Sequence, residues 1–238
     1  MKSKVVTMDE VLDKFQDGQT IMFGDWHGEL TAEEIISGML DKGIKDIHAI
    51  AVSGGMPDQG LGRLICEHRV KSLATTHIGL NPAARDQMFA GELEVEFVPQ
   101  GTFAERIRCG GAGLGGCLTP TGIGTDIEKG KQKLTINGRE YLLELPMRAD
   151  IALIKAWRAD TAGNIQFRLT GRATNSYMAF AADFVIAEVE ELVQTGEIGP
   201  DEVDIAAPVI DMVYVRIGEK KPLCPMWQRA KAKAEGGR

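Results

Sequence analysis

The amino-acid sequence predicts an α/β fold: a largely parallel open sheet with helices on both faces, carrying one β-hairpin insertion. Short, near-continuous apolar runs at Thr20–Phe23, Ile47–Val52, Leu73–Ile78 and Leu93–Val98 alternate with helix-like segments. This is the pattern of strands buried on both sides of a parallel sheet. Helix start and stop signals bracket the segments between the runs. A single Asn137-Gly138 pair between alternating strands marks the hairpin.

Taken in order, Thr7 and Glu10 form a capping box ahead of Val11, Leu12 and Phe15, with Gly18 as the left-handed stop. The strand Thr20–Phe23 leads into Gly24. Thr31 and Glu34 repeat the capping pattern before Ile35, Ile36, Met39 and Leu40, and Gly43 terminates that helix. An amphipathic stretch runs from Phe103 to Arg108. Leu134 and Ile136 precede the Asn-Gly turn, and Tyr141 and Leu143 follow it. Beyond it, Ile151–Trp157, a turn at Asp160–Asn164, Ile165–Leu169, an apolar segment near Tyr177–Ala182 and Phe184–Val189 continue the α/β pattern. No linker or repeat divides the chain, so residues 1–218 are expected to form one domain and 219–238 a short basic tail with no assigned function.

Composition narrows the function classes. At 238 residues, 44% hydrophobic and 26% charged, the chain can bury one substantial core. Its net charge of −7, with dispersed basic residues, argues against a nucleic-acid partner. The apolar stretch Met178–Ala187 contains Asp183 and is far shorter than the roughly 20 residues of a membrane span. After Met1-Lys2-Ser3-Lys4 comes Asp9 rather than an apolar signal segment, so a cytoplasmic location is expected. The cysteines (Cys66, Cys109, Cys117, Cys224) form no Cys-x-x-Cys pair, and His27, His48, His68 and His77 have no metal-ligand spacing. No metal and no tightly bound cofactor are expected.

The most unusual segment is Val98–Thr125, in which eight residues are glycine. Such density implies a backbone that bends tightly or lets a ligand approach closely, which makes the segment the candidate site. Gly111, Gly113 and Gly116 satisfy Gly-x-Gly-x-x-Gly, but neither the strand before it nor the helix after it that a dinucleotide site requires is present. Gly130-Lys131 lacks the other elements of a phosphate-binding P-loop.

The runs Pro99-Gln100-Gly101-Thr102, Glu105-Arg106-Ile107-Arg108, Gly110-Gly111-Ala112-Gly113 and Thr119-Pro120-Thr121-Gly122 resemble those of the alpha subunits of family I coenzyme A transferases, of the acetate and acetoacetate type. A second similar block runs from Arg148 to Lys155 and on through Arg158-Ala159-Asp160-Thr161-Ala162-Gly163-Asn164, and weaker similarity spans about Val5 to Val215. The resemblance implies the CoA-transferase alpha-subunit fold and a ping-pong exchange of CoA between an acyl-CoA thioester and a short-chain carboxylate. In that chemistry a glutamate of a beta subunit is the nucleophile. No Glu-Asn-Gly nucleophile motif occurs in this chain. The resemblance therefore implies half of an active site, with Gln100 donating to the oxyanion and Gly110, Gly111, Ala112 and Gly113 beside the acyl group. Glu105, Arg106 and Arg108 fall at helical spacing and read as an ion-pair face.

One segment departs from the family pattern. Where relatives carry Gly-Gly-Phe and then Gly-x-Pro, this chain has Gly24-Asp25-Trp26-His27-Gly28-Glu29-Leu30-Thr31-Ala32. Asp25, His27 and Glu29 would add polar groups to a pocket for small acyl chains and favour a more polar or amine-bearing acyl substrate. Alternatively they face the beta subunit or solvent. Other classes of function carry less support: the alternative is a non-catalytic effector- or acyl-CoA-binding module of the same fold, but an effector-sensing regulator should carry a basic DNA-binding helix-turn-helix and none is visible, and a sugar-phosphate isomerase needs a base and phosphate ligands that cannot be assembled here.

Overall fold

The computed structural model describes residues 3–26 and 30–218. His27, Gly28, Glu29 and the tail 219–238, with Cys224, lie outside the described residues. In chain order the elements are α1 (Met8–Leu12), β1 (Thr20–Phe23), α2 (Glu33–Lys42), β2 (Ile47–Ala51), α3 (Leu61–Cys66), β3 (Val70–Thr75), α4 (Pro82–Ala90), β4 (Glu94–Phe97), α5 (Gln100–Gly111) and β5 (Cys117–Thr119). They continue with β6 (Lys133–Ile136), β7 (Arg139–Glu144), β8 (Ala149–Asp160), β9 (Ile165–Gln166), α6 (Asn175–Met178), β10 (Ala182–Val193) and β11 (Met212–Val215). Among the described residues no helix is long and apolar enough to cross a membrane.

Seven strands run parallel in the order β11-β10-β8-β1-β2-β3-β4, and β9 pairs antiparallel with β8. Side-chain alternation sends each strand into two cores. Ile21, Phe23, Leu153 and Ile186 join residues of α1 to α4 on one face. Met22, Ala152, Ile154 and Ala187 meet Phe103 and Ile107 of α5 and Met178 of α6 on the other. This is the expected open sheet covered on both faces. β3 is displaced from the expected Leu73–Ile78 to Val70–Thr75, because Ile78 reaches the core from the following loop.

The hairpin forms as its turn chemistry requires, with Asn137 and Gly138 both at positive φ (52° and 76°). It belongs to a separate antiparallel sheet, β5-β7-β6. A buried carboxylate secures that sheet: Glu144 accepts from Lys131 Nζ at 2.6 Å and lies 3.9 Å from Arg106 Nε on α5. Arg106 also donates to the Leu145 carbonyl at 2.8 Å and pairs with Glu96.

The capping box at Thr7 and Glu10 is present, and Gly43 ends α2 in the left-handed conformation (φ 78°). The second expected box, Thr31 with Glu34, does not form. Ala32 is the N-cap of α2, and the amides of Glu34 and Ile35 donate instead to Glu188 Oε2 on β10, at 3.0 and 3.1 Å. Glu34 is drawn away to accept from Tyr214 Oη and from the amides of Ile217 and Gly218. A remote carboxylate has displaced a local cap.

Glu188 is fully buried, and burial pushes its pKa up to about 7, against the favourable charge of Lys155 and the donated amides. A carboxyl whose folded pKa lies above its ordinary 4.5 stabilises the fold most below that value, and this contribution is lost as pH rises towards 7. Glu188→Gln keeps an oxygen for the two amides and removes the titration. Urea denaturation from pH 4.5 to 8 is expected to show wild type losing roughly 3 kcal/mol relative to this variant, with the change complete near neutrality.

Candidate active site

Gln100 stands where the carboxyl end of the edge strand β4 passes into α5. Val98 is buried and its amide donates to the Thr75 carbonyl at 2.8 Å, while Pro99 is the N-cap (φ −54°, ψ 137°). Thr102 and Phe103 anchor the next turn in the core. Gln100 itself is exposed, and its side-chain amide makes no hydrogen bond to any described residue. A rigid support thus presents an uncommitted donor beside the amino end of a twelve-residue helix, whose first amides and dipole favour negative charge. Glu105 and Arg108 form the expected exposed pair at 2.7 Å, whereas Arg106 is the clamp on the hairpin sheet.

The glycine-rich run is not the tight turn it suggests. α5 continues through Gly110 and Gly111, and the chain first turns left-handed at Gly113 (φ 67°). A Cβ on Gly110 would lie 1.9 Å from the Met147 carbonyl oxygen, and one on Gly111 2.9 Å from Phe180 Cβ. These two glycines are required because protein fills the space where a methyl would go, so close approach of an acyl group is not what explains them. Only Ala112 and Gly113 occupy the turn.

The loop after β1 holds a second correction. A Cβ on Gly24 would lie 1.9 Å from Asn175 Oδ1, so Asn175, rather than a ligand, fills the space that this glycine leaves. Asp25 is only 1% exposed. Its amide donates to Thr174 Oγ1 at 3.0 Å, that hydroxyl donates back to the Asp25 carbonyl at 3.1 Å, and its carboxylate accepts from Ser53 Oγ at 3.3 Å. The Gly55 amide donates to Ser53 Oγ at 3.2 Å. Burial, with the charge of Asp25, pushes the pKa of Tyr177 up to about 12. Asp25 is therefore a brace between the β1 and β2 loops and does not line open space. Trp26 is 37% exposed. Ser53, Thr174 and Asn175 were not singled out from the sequence. Ser53-Gly54-Gly55 directly after the apolar run at Ile47–Val52 was the available signal for the first, and the other two had none.

The profile described as Coenzyme A transferase matches residues 5–216. The chain belongs to this family. It is 46% identical over 215 residues to the acetate CoA-transferase subunit alpha of Escherichia coli K12, a match covering 90% of this chain and 98% of the relative. It is 48% identical over 193 residues to the acetoacetyl-CoA:acetate/butyrate CoA transferase alpha subunit of Clostridium acetobutylicum, covering 81% of this chain and 88% of that one. In fold it is similar to an acyl-CoA transferase from E. coli O157:H7, solved as a thioester complex with CoA, with a TM-score of 0.80 and 22% identity. That match covers 92% of this chain and 48% of the other, so the chain spans about half the length of that structure.

The packing role of the glycines is testable by a contrasted pair. Gly110→Ala is expected to destabilise the fold by about 1–3 kcal/mol or more, since a backbone carbonyl must move. Gly101→Ala meets nothing within 4 Å and should be neutral or stabilising. Urea titration of both variants measures the difference.

Proposed function

We propose that this chain is the alpha subunit of a hetero-oligomeric, cytoplasmic CoA-transferase that moves CoA between a short-chain acyl-CoA and a carboxylate such as acetate, acetoacetate or butyrate. The named roles of its relatives support this reading, and the arrangement at Gln100 carries it: an uncommitted side-chain amide on an anchored backbone at a helix start, in a chain without the nucleophile motif of the family.

In this reading a glutamate of a separate beta subunit attacks the thioester carbonyl. The tetrahedral oxyanion accepts from the Gln100 side-chain amide, with the helix amino end adding a fixed positive field. Collapse breaks the C–S bond, releasing CoA thiolate and leaving an acyl-glutamyl anhydride. The thiolate then attacks the glutamyl carbonyl, which frees the first acid and leaves a glutamyl-CoA thioester, and the second acid reverses the sequence. Gln100 makes this contribution from an exposed position, so a second chain must cover it for the donor to act away from water.

With the beta subunit present, Gln100→Ala is expected to lower kcat by about 10²–10³-fold, the usual effect of losing one oxyanion donor. Arg108→Ala, which removes only the exposed pair with Glu105, should stay within about threefold of wild type. Steady-state CoA exchange between acetyl-CoA and butyrate measures both, and equal effects would remove Gln100 from the mechanism.

Because Asp25 is a brace, Asp25→Gly is expected to leave acyl preference across acetate, acetoacetate and butyrate unchanged. It should lower stability by about 1–3 kcal/mol through the abandoned Ser53 hydroxyl. Discrimination by polar contact would then rest with His27 and Glu29.

A further inference from the structure

The strand order reverses between β1 and β8: the chain proceeds from β1 outward to β4 and returns at β8 on the other side of β1. Open parallel sheets bind ligands beyond the carboxyl ends of their strands at such a reversal. A cavity of about 130 Å³ opens there, on the α2 side of the sheet. Gln100 is far from it, since β8 and β4 are four strand spacings apart, roughly 19 Å at about 4.8 Å per step.

Lys155 lines this cavity and is 7% exposed. Its ammonium lies 3.4 Å from Glu190 Oε1 without hydrogen-bond geometry, and no acceptor among the described residues completes a hydrogen bond to it. Burial holds the amine below the usual lysine range. Several neighbouring charges are matched within the fold: Glu33 is held by Arg63 at 3.1 Å, and Arg216 lies 3.8 Å from Glu34. Arg168 is a second cation on the wall. Its guanidinium stands over the Trp157 ring at 5.2 Å and makes no ion pair or hydrogen bond to a described residue. Apolar surface completes the site, with Leu30 and Trp157 on the wall and Leu169 at the lip, 89% exposed and at a positive φ of 54°.

We propose that this cavity is a second binding site, separate from Gln100, for a small monocarboxylate whose carboxylate meets Lys155 and Arg168 and whose short alkyl chain lies against Trp157 and Leu169. Two cations and Glu190 on the lining suit one negative charge; a dianion would meet repulsion from Glu190. A bound carboxylate completes the hydrogen bonding of a buried ammonium, which is the interaction that such a group most lacks.

The inference does not rest on the transferase reading, because an assembly that exchanges no CoA can still bind an acid here. The test is saturation-transfer NMR with butyrate on the full chain, in the assembly in which it purifies. Saturable binding is expected, weakened at least tenfold by Lys155→Met and by Arg168→Ala and unchanged by Arg108→Ala, which removes only the exposed pair with Glu105. Arg168 is exposed, so its variant stays informative if Lys155→Met fails to fold. The proposal is overturned by absence of saturable binding to wild type, by loss of binding in Gln100→Ala but not in Arg168→Ala, or by sulfate displacing butyrate at equal concentration.

Discussion

Asn175 is the interaction on which the carboxyl edge of the sheet depends. Its Oδ1 accepts from the Lys155 amide at 2.8 Å, and its Nδ2 donates to the carbonyls of Leu30 and Gly171 at 3.3 and 3.0 Å. One fully buried side chain thereby ties the β1 loop, strand β8 and the turn before α6. All its bonds go to backbone, so no side-chain rearrangement elsewhere can replace them. Gly24 is the counterpart of this arrangement, because no other residue leaves room for the amide. The Thr174 latch on Asp25 is the adjacent residue, so the same short segment places both loops.

Buried charge is the second organising element. Glu188, Lys155 and Glu144 are at most 7% exposed, and each faces groups from a different part of the chain. Removing one partner of such a set leaves an uncompensated charge, which costs far more than the intact pair contributes. Glu188 fixes α2 against β10, and Glu144 fixes the hairpin sheet against α5. These contacts supply orientation between elements that the apolar cores alone would leave free to slide.

What was legible in the sequence is what nearby residues decide. The bounds of β1, the Thr7 cap, the Asn137-Gly138 turn and the Gly43 stop all follow from chemistry within a few positions. What was illegible depended on remote partners. Thr31 and Glu34 have the right spacing for a cap, yet Glu188, more than 150 residues away, outcompetes them. Gly110 and Gly111 show the limit most clearly. Glycine serves either a left-handed backbone or a missing side chain, and the residue alone does not say which; the Met147 carbonyl decides. Asp25 reads as a polar wall until Ser53 and Thr174 are seen to enclose it. The position of Gln100 past an apolar run was legible, because the end of β4 and the start of α5 are both local.

The central place of β1 bears on how the chain is made. Ile21, Met22 and Phe23 are completely buried, and β1 pairs with β2 on one side and β8 on the other. Its first neighbour emerges soon after it, but Thr20 and its partner Asp150 are separated by 130 positions. At about 5–20 residues per second, a ribosome takes roughly 6–26 s to deliver the second neighbour. Throughout that interval this apolar strand has an open edge, the feature that invites pairing with another nascent chain. The docking of β8 closes that edge, and the edge of β8 itself is closed only when β10 follows.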